Sequence, residues 1–167
     1  MRRAGLALLL LLALAACGGA SPDAMSNASI DLEAAAVRRG LVRDPASTAI
    51  LGAYARGADR LCIVPADQEH RIGIVIDYGE GNGCRAIGQV RRIGEGLAVS
   101  LGADGGCSFT ARYDGDRLAL PGAVPGACRR LCTGRAALAG TQFVRLGESV
   151  AEGRAMRDPE GRALCGE

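Results

Sequence analysis

Cysteines carry the most evident chemistry in this chain. One stands near the start, at Cys17, and six follow at Cys62, Cys84, Cys107, Cys128, Cys132 and Cys165. Six cysteines in an exported domain predict three disulfides, each worth about 2–4 kcal/mol, in a pairing that the sequence leaves open. The alternatives are metal binding and thiol redox chemistry. Three residues separate Cys128 from Cys132, rather than the two of a redox or zinc pair, and no histidine lies near, so structural bridges are favoured.

His70 is the single histidine and the first candidate for acid–base catalysis. A general base needs a nucleophile within reach and a carboxylate that orients its ring. The surrounding residues 68–71 predict a turn before a strand. An exposed loop histidine is therefore the favoured interpretation.

Two further patterns resemble ligand sites only in part. The glycine-rich segment Gly79–Gly83 has no following Lys-Ser/Thr and no predicted helix, so it is a tight turn before Cys84 and not a phosphate loop. Asp114 and Asp116 lack the other ligands of a calcium loop and are explained by turn chemistry. Asp77 and Glu80 are predicted surface carboxylates. The sequence predicts no catalytic, cofactor-binding or metal-ligating residue.

The first seventeen residues have the layout of an export signal. Arg2 and Arg3 precede an apolar run that ends in Leu14-Ala15-Ala16-Cys17. The apolar stretch is about half of the ~20 residues that a spanning helix needs. This segment resembles the signal peptide and lipobox of bacterial lipoproteins, in which cleavage precedes a cysteine that becomes lipidated.

The resemblance implies a location. Residues 1–16 would be removed, and Cys17 would carry the lipid that anchors the chain to a membrane. Gly18 and Gly19 follow in place of the aspartate that favours inner-membrane retention in enteric lipoproteins. The expected location is therefore the bacterial cell envelope, at the outer membrane, facing the periplasm or the surface.

Composition narrows the remaining functions. Without residues 1–16 the chain has eighteen arginines against eighteen acidic residues, and it contains no basic block. Nucleic acid is therefore a poor candidate for a partner. Aromatic residues are few, so the core has little large apolar surface, and disulfides are expected to supply stability.

The elements follow from local patterns. Residues 17–29 are small and polar and predict a tether, and residues 30–46 predict a short helix at Ile30–Arg39 followed by a linker. The body, 47–167, begins with short strands. Seven are expected up to Leu120, and Thr141–Leu146 is a candidate for an eighth.

Three turns carry most of the strand prediction. Residues 56–59 join the first two strands, and a loop at Gly94-Glu95 sets Val90 opposite Val99, although a three-residue loop is an alternative. Asp114-Gly115 predicts a type I′ hairpin.

That hairpin predicts its own register. It sets Ala111 opposite Leu118 and Phe109 opposite Leu120, so one face is apolar and Arg112 and Arg117 point outward. In the third strand, Ile72, Ile74, Ile76 and Tyr78 are predicted to share a face.

The C-terminal part predicts short helices. Arg135–Leu138 is expected to form one helical turn, and Ser149 to Glu152 is a capping box that should begin a helix ending before Asp158. A bridge from Cys165 would pin the tail to the body. The fold class is mainly β with short helices at both ends (α+β): a disulfide-stapled antiparallel meander or small barrel of about seven to eight strands.

Size, anchor and strand pattern together resemble the membrane-tethered lysozyme inhibitors, small β-barrel lipoproteins that block an enzyme cleft with a loop. The resemblance is one of architecture and transfers no residue roles. It implies a non-catalytic binding or structural module with an envelope protein or glycan as partner and no cofactor. The alternative is an envelope hydrolase acting on a cell-wall or lipid substrate through His70 or carboxylates.

Overall fold

A computed structural model describes residues 32–39, 41 and 49–166. The predicted signal peptide, the tether and Cys17 lie outside these residues. The chain divides into two units, Met1–Ser47 and Thr48–Glu167. In the first unit, helix α1 spans residues 32–38, within the run predicted to be helical.

The second unit is a closed antiparallel barrel in which each strand pairs with the next and the last pairs with the first. This confirms the mainly β prediction and decides between a meander sheet and a barrel. The strands are β1 Gly52–Arg56, β2 Asp59–Pro65, β3 His70–Asp77, β4 Gly83–Ile93, β5 Gly96–Leu101, β6 Cys107–Tyr113, β7 Arg117–Ala119 and β8 Gln142–Gly147.

Aliphatic side chains and three aromatic residues, Tyr54, Tyr113 and Phe143, fill the barrel. Tyr54 and Phe143 are fully buried, and Ile72, Ile74 and Ile76 of β3 pack with them. Closure removes the exposed sheet edges that would otherwise pair with other chains.

Both faces of β3 are buried, which the alternating pattern does not predict. Val75 lies on the outer face and packs with Cys62, Leu164 and Cys165 in a second apolar cluster. The C-terminal segment therefore covers the outside of β2 and β3. At Gly73 an added Cβ would overlap the Leu164 carbonyl oxygen and lie 2.7 Å from its Cγ, so only glycine permits this approach.

The β4–β5 hairpin has the predicted register. Val90 is opposite Val99, and Ile93 is opposite Gly96 across a two-residue loop at Gly94 and Glu95. The three-residue alternative is excluded.

The β6–β7 register is shifted by two residues from the prediction. Leu118 is opposite Tyr113 rather than Ala111. The cause is the Asp114 carboxylate, which accepts hydrogen bonds from the amides of Asp116 (3.1 Å) and Arg117 (2.7 Å) and so closes a longer loop. Because side chains alternate with a period of two, the predicted inward face is retained.

The segment between β7 and β8 differs from the prediction. Residues 135–138 are not helical, since they lie between Gly134 and Gly140, both at positive φ, and Leu138 is drawn into the core. A 3-10 helix at Gly126–Leu131 occurs instead.

The C-terminal helix is confirmed. Helix α2, Val150–Ala155, begins at Ser149, whose side chain accepts a hydrogen bond from the Glu152 amide.

The three predicted disulfides are present, and the structure gives their pairing: Cys62–Cys165, Cys84–Cys132 and Cys107–Cys128. The first ties the C-terminal segment to β2. The other two tie the segment between β7 and β8 to β4 and β6, through Cys132 directly after the 3-10 helix and Cys128 within it.

Candidate functional site

His70 does not occupy the exposed loop predicted for it. It is the first residue of β3, opposite Pro65 and Val90, and is half-buried. Its Nδ1 atom is buried and has no hydrogen-bond partner among the residues that the structure describes.

Arg145 occupies the end of the barrel at which β8 ends and β1 begins. The side chain is only 5% exposed, and its guanidinium lies 5.1 Å from the centre of the Tyr54 ring. It donates to the carbonyl oxygens of Ala49 and Leu51 and to the Tyr113 hydroxyl. These contacts hold the segment before β1 on the barrel and give the arginine a structural role.

The opposite end of the barrel presents an unusual turn between β3 and β4. The amide of Asn82 donates to the Gly79 carbonyl at 2.9 Å, and the two residues between them, Glu80 and Gly81, have φ of 52° and 75°. Positive φ at both central positions is the pattern of a type I′ turn, which favours Asn, Asp and Gly. Glu80 is the one non-glycine residue with positive φ in the described part of the chain.

The residues of this turn, Tyr78–Asn82, are called the β3–β4 loop below. The Asp77 carboxylate accepts a hydrogen bond from the Gly79 amide at 2.8 Å. The Tyr78 amide donates to the Asn82 carbonyl at 2.9 Å. Short hydrogen bonds at its base therefore fix how the loop leaves the barrel.

Thr133 braces the same loop from outside. Its hydroxyl donates to the Gly81 carbonyl at 2.7 Å and accepts from the Gly83 amide at 3.1 Å, while its own amide donates to the Gly83 carbonyl at 2.8 Å. The neighbours of Gly83 and Thr133 are Cys84 and Cys132, which form a disulfide with 3.9 Å between Cα atoms. The brace is thus covalently attached to the strand that follows the loop.

Tyr78, Glu80 and Asn82 are the exposed side chains of this loop. Glu80 is exposed, and Tyr78 is 60% exposed, contrary to its predicted inward position, because β3 ends at Asp77. Hydrogen bonding to Asp59 is the largest influence on Arg56 and, with a smaller contribution from Tyr78, raises its pKa.

Two depressions flank the loop. One, of about 580 Å³, is lined by Tyr78, Asn82 and residues 134–136. The other, of about 520 Å³, lies between the loop and the turn at Pro159–Arg162 and includes Cys84 and Cys132 in its wall. Both depressions are open and shallow. Such a shape suits contact with the surface of another molecule better than enclosure of a small substrate.

Most charges near the second depression are paired within the protein. Arg85 and Arg162 both bind the buried Asp158 carboxylate, at 2.7 and 2.8 Å. Burial of Asp158 opposes ionisation, but hydrogen bonds from the Arg162 amide and the two guanidinium groups outweigh it and lower its pKa.

Arg130 lies 3.1 Å from Asp104, whose pKa is lowered chiefly by the hydrogen bond from the Gly106 amide. Glu80, by contrast, makes no salt bridge with any residue in the described ranges. The negative charge of Glu80, at the tip of the loop, is therefore not compensated by a salt bridge at this end of the barrel.

Sequence reasoning identified Gly79–Gly83 as a turn but assigned it no role. The available signal was a glutamate where a glycine-rich hairpin turn favours Asn, Asp or Gly.

No group of three or more histidine, cysteine or acidic residues suited to a metal ion occurs among the described residues. No helix in the same part of the chain is long and apolar enough to cross a membrane. No protein-family model, curated protein or solved structure matches the chain.

Proposed function

We propose that this protein is a lipid-anchored, non-catalytic binding module of the bacterial cell envelope, and that the β3–β4 loop contacts its partner, an envelope protein. The observation that carries the proposal is the position of Glu80. An L-residue in left-handed backbone costs roughly 1–2 kcal/mol, and such strain clusters at functional positions. Glycine at this exposed site would avoid the cost, so the presence of a glutamate there favours a role in recognition.

The construction of the loop supports a contact role. Main-chain hydrogen bonds, the Thr133 brace and the adjacent disulfide limit its conformations before any partner arrives. A loop that is already ordered loses less conformational entropy on binding. The exposed Tyr78 ring adds the kind of residue that often dominates binding energy at interfaces.

Charge indicates the chemistry of the partner surface. Glu80 makes no salt bridge with other described residues, so its carboxylate is available to a lysine or arginine. Such a pair becomes strong only when the interface excludes water and the geometry is good. We therefore expect the partner to present a basic side chain in a concave site that receives the loop.

The envelope location is proposed from the signal-like N-terminus alone. Arg2, Arg3 and the apolar run before Cys17 support export, and the lipobox supports lipidation. A lipid anchor would hold the barrel at the membrane, where the partner is sought.

The experiment is a comparative capture from detergent-solubilised envelopes, with the whole protein as bait. Three baits are used: the wild type, Glu80→Gln and Glu95→Gln. Glu95 is the matched control because it is also an exposed glutamate in a hairpin turn, at the opposite end of the barrel. A protein that the wild type and Glu95→Gln retain at equal levels, and that Glu80→Gln loses, supports the proposal.

Equal retention of every captured protein by all three baits would remove the loop from the proposal. Specific capture that depends on neither glutamate would keep a binding module but place its surface elsewhere.

A further inference from the structure

We propose that Cys132 is a site of thiol–disulfide exchange, and that opening of the Cys84–Cys132 bridge by a dithiol releases the β3–β4 loop. The exchange chemistry depends on the disulfide alone. That the exchange controls binding of a partner rests on the function proposed above for that loop.

Exposure distinguishes this bridge from the other two. Cys132 is partly exposed, whereas the cysteines of the other bridges are at most 2% exposed. Cys84 and Cys132 also form part of the wall of the open 520 Å³ depression beside the loop. An attacking thiolate needs direct access to a sulfur atom, so exchange should begin here.

The other two bridges are less accessible to a thiolate. The bridge at Cys107 and Cys128 lies in the barrel core and lacks such an approach. In the third bridge, Cys62 lies beneath the C-terminal segment, and Cys165 lines a depression of about 610 Å³ but is only 2% exposed.

The reaction is a two-electron exchange. A thiolate of the dithiol bonds to the Cys132 sulfur, and the Cys84 sulfur leaves with the electron pair and takes a proton from water. The second thiolate of the reagent then bonds to the reagent's first sulfur and displaces the Cys132 thiolate, which is protonated in turn. The protein disulfide is reduced to two thiols, and the dithiol is oxidised to a cyclic disulfide.

The structural consequence falls on the loop. Thr133 follows Cys132 directly and makes the hydrogen bonds that brace Gly81 and Gly83. Once the bridge is open, the brace is held against the loop only by non-covalent contacts, namely these hydrogen bonds and the packing of Asn82 against Gly134. The 3-10 helix stays tied to β6 through Cys128, so the change is local and the barrel persists.

The first test maps the order of reduction. The whole protein is incubated with increasing dithiothreitol, quenched with N-ethylmaleimide and analysed by peptide mass spectrometry. We expect Cys84 and Cys132 to be labelled at concentrations that leave the other two bridges intact. Earlier labelling of another bridge, or simultaneous labelling of all six cysteines, would overturn the proposal.

The second test reads the loop by amide hydrogen exchange. At the dithiothreitol concentration that opens only this bridge, we expect the amides of residues 79–83 to exchange at least about tenfold faster. The β4–β5 hairpin at the other end should be unchanged. A loop as protected as in the oxidised protein would overturn the release step.

Cysteine variants distinguish the effect of losing this bridge from other effects of dithiothreitol. Cys84→Ser/Cys132→Ser should show the fast loop exchange without dithiothreitol, and Cys107→Ser/Cys128→Ser is the matched control that keeps the loop protected. Wild-type reduction still decides the question if a variant does not fold. If this bridge opens first and the loop is released but Glu80→Gln keeps every partner, the proposed function fails and the exchange site stands.

Discussion

Replacement of Glu80 by glycine should make the protein more stable. Relief of left-handed backbone in an L-residue is worth roughly 1–2 kcal/mol. The additional freedom of glycine in the unfolded chain removes about 0.5–1 kcal/mol of this. Glu80 is exposed and makes no salt bridge with other described residues, so no ion pair is lost with its side chain. The net expectation is a gain of about 0.5–1 kcal/mol in the free energy of unfolding, which is a rise of about 2–5 °C in Tm.

Glu95→Gly is the matched control, and the expected sign is opposite. Glu95 is exposed in a hairpin turn but does not have positive φ, so glycine relieves nothing there. Only the unfolded-state term remains, and we expect a loss of about 0.5–1 kcal/mol.

Thermal and urea unfolding of the oxidised proteins, with wild type in parallel, measure both changes. If Glu80→Gly destabilises by as much as Glu95→Gly, the turn is not strained at Glu80, and the principal support for the proposed function is lost.

Three further predictions concern packing, pH and location. Gly73→Ala should lower Tm markedly because its Cβ would displace Leu164, whereas Gly122→Ala, which has open space, should be near neutral in the same melting experiment. The pKa of Asp158 is lowered in the fold, so its stabilising contribution is present above the unfolded pKa and is lost as pH falls through the folded value. Asp158→Asn should therefore flatten the fall in urea-unfolding stability below about pH 4, and an unchanged acid limb would contradict this. Cys17→Ser should yield an unprocessed or unlipidated precursor, and normal intact mass with normal membrane fractionation would contradict the anchor proposal.

The barrel was predictable because its signals are local. Each strand pairs with its sequence neighbour, so hairpin turns and two-residue alternation specify most of the sheet. The register at Gly94-Glu95 followed from the turn alone. The register at Asp114 did not, because the side chain of that residue closes the loop and the apolar pattern is the same after a shift of two.

What the sequence did not predict depends on contacts between distant residues. The burial of Val75 requires Leu164 to return across the sheet, and nothing near Val75 encodes that return. Disulfide pairing is likewise a property of the closed barrel, which brings Cys84 opposite Cys132. The exposed position of Tyr78 depended on where β3 ends, which is the least certain part of a strand prediction.

The segment at 120–141, between β7 and β8, bears most directly on the candidate site. A barrel of successive hairpins needs only a few residues there, and long connections in small domains are uncommon unless they serve a function. This connection contains the 3-10 helix, two of the six bridged cysteines and Thr133.

Two of these features, Thr133 and Cys132, support the β3–β4 loop. Thr133 contacts the β3–β4 loop, and Cys132 joins the connection to β4 immediately after the loop. The third bridge, Cys62–Cys165, ties the C-terminal segment to the middle of β2. At the opposite end of the barrel, Arg145 contacts Tyr54, Tyr113 and the segment before β1. Closure of the barrel does not explain why covalent support is concentrated at the other end. The need to hold the β3–β4 loop in one conformation while it presents Glu80 does explain this concentration of disulfides. The binding experiment therefore begins with that loop.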